Sequence, residues 1–306
     1  MTFSCRQLWA GTIILAVISF LSVQPLAAQA NSGHILNTAR ADSQAWIDWE
    51  KGKLHVVLSA PIDQGDVRNR SSLLSRKEAE IKLLFPSLFP YFLNPVRIDS
   101  ARTYDDLIRS DAGFAASLAM VREQAMLIRS QPSRDLKSVS LEYIFPLMPQ
   151  LTAPLIDFQQ PMELDRILEW HPKAEYTGIV IHAEGELPWY GNDGNASLKP
   201  ALFPRILDED GRIVLSAGHL IPQAARRWGT VAYASGTRPE LQSERAGDRP
   251  FITMARSVFG SSPTDVVISR DDATMLLYND STRRALAEGR IILAVSPVTL
   301  HEESGR

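Results

Sequence analysis

The N-terminal thirty residues place the strongest constraint on how this chain can fold. Arg6 is the only charged side chain within residues 1–30, and it precedes an apolar run over residues 8–23. The small-x-small sequence Ala28-Gln29-Ala30 follows, which is the pattern that signal peptidase cleaves. We therefore expect residues 1–30 to be a signal peptide that is cut after Ala30. The alternative is an uncleaved membrane anchor, because roughly 17 apolar residues can just span a bilayer.

The only cysteine of the chain, Cys5, lies inside this leader. The expected mature chain, residues 31–306, then has no disulfide, no thiolate ligand, no cysteine nucleophile and no lipid-bearing cysteine. An apolar core must stabilise it, and a hydrophobic content of 45% is ordinary for that. We expect a periplasmic protein that is secreted through the general export pathway and not lipidated. Its mature part should contain no transmembrane segment, because no later stretch approaches a spanning length.

Composition and motifs argue against several classes of function. The formal net charge of the whole chain is −3, which gives no electrostatic footprint for nucleic acid. The sequence has no Gly-x-Ser-x-Gly nucleophile elbow, no phosphate-binding loop ending in Lys-Ser or Lys-Thr, and no His-Glu-x-x-His motif. We therefore predict a protein that is not an enzyme and has no catalytic residue, metal or cofactor.

The first half of the mature chain contains both the spacing of apolar residues that is typical of helices and the alternation that is typical of strands. Pro86 and Pro90 should break or kink the first helix. The apolar strip over residues 83–93 either fills the core or forms an exposed docking surface. The patterns predict strands over residues 46–49, 54–58, 96–99 and 137–143, and helices over residues 71–85, from Thr103 and over residues 114–128.

The second half is richer in short strands. Asp208-Glu209-Asp210-Gly211 predicts a solvated hairpin turn. Ser269 can cap a helix that should run to about Glu288 and stop at Gly289. The patterns predict strands over residues 176–183, 202–207, 212–215, 230–234, 251–258, 266–268 and 290–295, and one short helix over residues 162–170.

Together these patterns predict an α+β protein with two modules. Each module should pair a small, largely antiparallel sheet with helices packed on one face. Prolines punctuate the stretch between the modules, which makes it the expected boundary. The predicted organisation is a signal peptide (residues 1–30), an N-terminal module (31–148), a Pro-rich connection (149–175) and a C-terminal module (176–306).

Four residues are candidates for contact with a ligand or a partner. His182 and Glu184 lie two apart in a predicted strand, so they share one face and can form a hydrogen bond. Trp189 and Tyr190 lie in the following loop, where aromatic rings could dock a partner or stack on a ligand.

Two stretches of the C-terminal module resemble a known family. They resemble blocks of poorly characterised bacterial envelope proteins related to the LPP20-type lipoproteins. The two stretches are "YTGIVIHAEG" at residues 176–185 and "KPALFPRILDEDG" at residues 199–211. Residues 265–273 are also similar. His182 and Glu184 stand where the family pattern has Asp and Arg, and the lipid-bearing cysteine of the lipoproteins is absent. The resemblance implies a periplasmic, non-catalytic component that works through protein contacts, and some relatives are associated with flagellar or other envelope assemblies.

Three functions therefore stay open. The first is a scaffold or assembly component of the envelope, which would bind envelope proteins. The second is a periplasmic binding module for a small molecule or cell-wall glycan, with Trp189 and Tyr190 stacking on a ring. The third is a hydrolase that uses His182 with Glu184.

Overall fold

The computed structural model describes residues 43–62, 69–110, 124–168, 174–236 and 245–303. The predicted signal peptide lies outside these ranges. So do most of the predicted helix over residues 114–128 and the end of the one over residues 162–170. Among the described residues, none of the helices combines the length and the hydrophobicity that crossing a membrane requires.

A five-stranded antiparallel sheet forms the basis of the first module. Its strands are β1 (Ser43–Asp48), β2 (Lys53–Pro61), β3 (Met126–Pro132), β4 (Ser138–Pro146) and β15 (His301–Glu303). They pair in the order β15-β1-β2-β4-β3. The strands predicted over residues 46–49 and 54–58 are confirmed as β1 and β2, which form a hairpin. The strand predicted over residues 137–143 is confirmed as β4, in which Val139, Leu141 and Tyr143 are buried.

Helix α1 (Arg70–Leu93) runs through both of its prolines. Of the two predicted effects of Pro86 and Pro90, a break or a kink, the break is therefore wrong. Its buried face packs on the sheet, where the Phe85 ring stacks on Tyr143 with ring centroids 3.7 Å apart. Packing of this kind outweighs a helix-interior cost of about 3 kcal/mol per proline.

The apolar strip over residues 83–93 serves mainly as core. Four of its side chains are on the buried face of α1: Phe85, Leu88, Phe89 and Leu93. Leu83 is the main exception, because it points into solvent. The core-filling alternative is therefore the one that the fold adopts.

Two other predictions in the first half need correction. Residues 96–99 form only an isolated bridge between Arg97 and Thr103, which closes a tight turn before helix α2 (Tyr104–Ser110). Met126–Ile128, predicted as the end of a helix, belong to strand β3. Their apolar spacing also suits a helix, but pairing with β4 decides their conformation.

The Pro-rich connection contains one short helix, α3 (Thr152–Leu155), at a different place from the predicted one. The described part of the predicted helix, residues 162–168, has no regular structure. The backbone N–H of Met162 donates instead to the carbonyl of Gly218, 2.7 Å away, and this tertiary contact replaces a helical bond.

The second module contains two four-stranded sheets and a small hairpin. The strands are β5 (Gly178–His182), β6 (Glu186–Pro188), β7 (Asn195–Ser197), β8 (Ile206–Asp208), β9 (Ile213–Leu215), β10 (Ala232–Ser235), β11 (Pro250–Met254), β12 (Ser257–Phe259), β13 (Asp265–Ile268) and β14 (Ile291–Val295). The first sheet has the order β10-β14-β5-β11, the second has the order β12-β13-β8-β9, and the hairpin is β6-β7.

The α+β class and the two modules are confirmed, but the largely antiparallel sheet expected for the second module is wrong. Its β10-β14-β5-β11 sheet is parallel throughout, and β13 pairs with β8 in parallel. The reason lies in burial: Ile179, Val180 and Ile181 are all buried, so β5 is covered on both faces. Continuous apolar strands of this kind are typical of parallel sheets, whose connections carry helices over the faces.

In the part of the chain that the structure describes, four further helices follow β9. They are α4 (Pro222–Trp228), α5 (Arg270–Tyr278), α6 (Asp280–Ala287) and α7 (Pro297–Leu300). The predicted cap is confirmed, because the hydroxyl of Ser269 accepts the N–H of Asp272 at 3.1 Å. The single helix predicted after it is divided at Asn279, whose extended backbone separates α5 from α6.

The predicted hairpin at Asp208–Gly211 forms, as β8 and β9, but its first acid is not solvated. Asp208 is buried, and its Oδ1 accepts the N–H groups of Asp210 and Arg212 at 2.9 and 2.8 Å. This carboxylate therefore shapes the turn.

The two modules share backbone contacts at two places. Strand β15, from the end of the predicted second module, pairs with β1 of the first. The N–H groups of Leu202 and Phe203 donate to the carbonyls of Arg97 and Ile98 at 3.0 and 2.8 Å.

We expect the first module to lose stability at alkaline pH through Tyr143. Burial, and then the charge of Glu78, raise the pKa of Tyr143 to about 12. The neutral phenol therefore stabilises the fold below the unfolded pKa of about 10, and this contribution is lost as the pH rises towards 12. The loss should reach about 2 kcal/mol by that pH.

Replacement of Tyr143 by Phe should remove this part of the pH dependence. Denaturant unfolding at pH 8 and pH 11.5 measures it as a smaller drop in unfolding free energy than in the parent protein. Tyr91→Phe is the matched control, since Tyr91 is well exposed on α1. An unchanged alkaline drop in Tyr143→Phe would contradict the prediction.

Candidate functional site

His182 and Glu184 lie together where β5 ends. The Nδ1 atom of His182 is 3.0 Å from Oε1 and 3.3 Å from Oε2 of Glu184, so the predicted hydrogen bond between them forms. Both side chains remain about one third exposed. The pair is therefore within reach of a ligand.

The carboxyl edge of the parallel sheet surrounds this pair. Gly236 follows β10, and a Cβ atom at that position would lie 2.2 Å from Oε1 of Glu184, so glycine leaves the room that the carboxylate occupies. The N–H of Gly185 donates to the Ser296 hydroxyl, 2.9 Å away, just beyond β14. In open sheets of parallel strands, ligands bind outside this edge.

The pair can exchange a proton with a ligand and form hydrogen bonds to it. The carboxylate holds the imidazole in one orientation, as a general base requires. Within the described residues, Glu184 is the only hydrogen-bond partner of the His182 ring, and no hydroxyl contacts it. The described residues also contain no group of three or more His, Cys, Asp or Glu side chains placed to hold a metal ion. The hydrolase hypothesis stays a prediction.

Trp189 and Tyr190 lie in the turn of the β6-β7 hairpin, against β12. The indole Nε1 of Trp189 donates to the carbonyl of Gly260 at 3.0 Å, and its backbone bridges Val258. The Tyr190 ring lies 6.0 Å from the ring of Phe259. The Trp189 ring is half-buried and fixed, whereas Tyr190 is largely exposed.

The structure does not combine these four residues into one site. His182 and Glu184 contact the sheet edge, and Trp189 and Tyr190 contact β12 and the loop after it. Among the described residues, no hydrogen bond or ring contact joins the two pairs.

Sequence reasoning missed a third candidate, the outer edge of the first module. Strand β3 ends the five-stranded sheet, and all seven of its residues are exposed. Its first three side chains are Met126, Leu127 and Ile128, exposed by 55%, 38% and 49%. Three large apolar neighbours are a signal in the sequence, but their spacing also fits the end of the helix predicted over residues 114–128.

Fold and surface together define a mixed α+β protein with two modules, a parallel-sheet edge carrying a His–Glu pair, and an exposed apolar sheet edge. Comparison with protein families gives one match for each module. Residues 40–154 match the family model described as the N-terminal domain of Treponema pallidum Tp0624, and residues 178–297 match its second domain.

The two matches follow the order of the two modules and leave residues 155–177 between them. A comparison with curated proteins finds no match. Neither family model has a link to the LPP20-type lipoproteins, so that resemblance stays a prediction.

Proposed function

We propose that this protein is a non-catalytic component of the bacterial envelope that is exported to the periplasm and binds another envelope protein through strand β3. The composition of the first thirty residues supports export. The observation that carries the proposal is the exposed apolar edge of the first sheet.

An exposed sheet edge offers unpaired backbone groups to an incoming strand. Natural proteins usually protect such an edge with a bulge, a proline or a charge. Here Arg129 and Pro132 protect the second half of β3, and the register with β4 shifts between Leu127 and Arg129. The first half, Met126–Ile128, is apolar and exposed. A docking strand would therefore meet the first half.

The occupant that fits best is an extended segment of a partner protein, with apolar side chains flanked by acidic ones. Main-chain hydrogen bonds to β3 would supply affinity, and alternate apolar side chains would cover the exposed triplet. Basic groups follow the triplet: Arg129 and Lys137 are exposed, and Arg134 lies between them in the β3-β4 turn. Two carboxylates offset part of this charge, because Glu142 lies 3.9 Å from Arg129 and Asp135 lies 3.8 Å from Lys137.

Photo-crosslinking in cells tests the proposal. A photoreactive residue at position 128 of the full chain should give one discrete adduct in the envelope fraction. The same residue at position 213 is the matched control, because Ile213 is an apolar strand residue of similar exposure. Met126→Asp should lower the adduct from position 128 roughly tenfold or more, because an unpaired carboxylate is costly to bury.

Several outcomes would contradict the proposal. One is equal labelling from positions 128 and 213, and another is no adduct at all. An adduct with the mass of two copies of this chain would show that β3 binds a second copy of the chain and not another envelope protein. N-terminal sequencing of the periplasmic form should begin at Asn31, and an intact Met1 on protein from the cytosol would contradict export.

A further inference from the structure

A cavity of about 310 Å³ lies beside Trp189, at the junction of the two modules. Its walls come from the β6-β7 hairpin, from α7 and from the turn before α2. A volume of this size is at the lower end of the range of about 300–1,000 Å³ that is typical of small-molecule sites. One ring with its substituents would fill it.

Trp189 forms a fixed apolar wall of this cavity. Its indole N–H and its backbone N–H both donate to carbonyls, those of Gly260 and Gly194, each at 3.0 Å. The ring is therefore oriented before any ligand arrives, which lowers the entropy cost of stacking. Pro200 and Val298 extend the apolar surface beside it.

The charged side chains that line the cavity, Arg97 and Lys199, are both basic, and the imidazole of His301 lies beside them. None of the described lining residues is acidic. The guanidinium of Arg97 is anchored because Nε donates to the carbonyl of Pro200 at 3.0 Å. Lys199 is exposed, and its backbone N–H donates a hydrogen bond to the carbonyl of Pro263, 2.8 Å away.

We infer that this cavity binds a sugar ring that carries a carboxylate. The apolar face of a sugar ring stacks on indole, and Arg97 with Lys199 would attract the carboxylate. The hydroxyls of Ser197 and Thr299 also line the cavity and suit the ring hydroxyls. The site goes beyond the proposed function, and it lies on a different surface from strand β3.

Calorimetric titration of the chain from residue 31 with D-glucuronate and with D-glucose tests the assignment, because these sugars differ only at the carboxylate. We expect glucuronate to bind at least roughly tenfold more tightly, a difference of about 1.4 kcal/mol. Added salt should weaken glucuronate binding, because Lys199 is exposed and its charge is screened.

Two variants locate the site. Lys199→Gln should lower the affinity for glucuronate about five- to tenfold and leave glucose binding unchanged, whereas Lys137→Gln, an exposed lysine in the β3-β4 turn, should change neither. Trp189→Phe keeps an aromatic wall but loses the indole N–H, and it should weaken both sugars.

Equal binding of the two sugars would overturn the inference. So would an unchanged glucuronate affinity in Lys199→Gln, or no heat with either sugar at millimolar concentration. Because the photo-crosslinking from strand β3 does not involve this cavity, failure of either proposal is recognisable without the other.

Discussion

Replacement of Arg245 by Met should lower the free energy of unfolding by at least about 3 kcal/mol, measured by denaturant titration at pH 7. The Arg245 side chain is buried and donates to three carbonyls. Its Nε atom lies 2.7 Å from Gly289 O, Nη1 lies 2.9 Å from Trp228 O, and Nη2 lies 3.2 Å from Gly229 O.

These three carbonyls belong to the ends of two helices. Trp228 and Gly229 end α4, and Gly289 follows α6. The last carbonyls of a helix have no partner within it, so each depends on a donor from elsewhere. The Met variant would leave three buried acceptors unpaired, at about 1 kcal/mol or more each.

The charge of Arg245 does not weaken this expectation. Burial lowers the pKa of Arg245 to about 9, which leaves the guanidinium protonated at neutral pH. Lys in its place would keep the charge but not the planar fork that reaches three acceptors. Arg245→Lys should therefore recover only part of the loss.

Arg227→Met is the matched control. The guanidinium of Arg227 also lies over the Trp228 ring, 5.2 Å from its centroid, but Arg227 is exposed. Its loss should cost less than about 1 kcal/mol. If Arg245→Met were no more damaging than Arg227→Met, the capping role of Arg245 would be wrong.

Features that depend on neighbours in sequence could be predicted. The Ser269 cap, the alternation of β4 and the turn at Asp208–Gly211 each follow from contacts within a few residues. The contact between His182 and Glu184 belongs to this class too, because residues two apart on a strand share a face.

Features that depend on distant pairing could not be predicted. The continuous apolar run of β5 is typical of a strand in a parallel sheet, but it does not show which strands pair with β5, because β11 and β14 lie far along the chain. Arg245 lies in a polar stretch of sequence, and its acceptors at residues 228 and 289 give no local signal.

The cavity beside Trp189 shows the same limit. Arg97 and His301 both line it, and they are far apart in the sequence. Of the residues that line it, the sequence points only to Trp189, because an aromatic ring in a loop is visible in sequence. Which cations lie near that ring is a property of the tertiary fold.

Asp265→Asn should be the second strongly destabilising change, at about 2–4 kcal/mol. The Asp265 carboxylate is fully buried and accepts three bonds from Arg205: from the backbone N–H at 2.8 Å, from Nε at 2.9 Å and from Nη2 at 2.6 Å. The same Nη2 atom also donates to the Ser100 hydroxyl at 3.2 Å, which connects β13 to the first module.

The amide of an asparagine at position 265 would remove the negative charge and turn one acceptor into a donor facing the guanidinium. Because the Arg205 side chain is one third exposed, water would relieve part of its lost pairing. Asp210→Asn is the matched control, since Asp210 pairs with Arg270 at the surface of the same module. Exposed pairs contribute little, so this control should stay close to the parent protein. Similar unfolding free energies for the two variants would show that the buried carboxylate does not hold β13 against the first module.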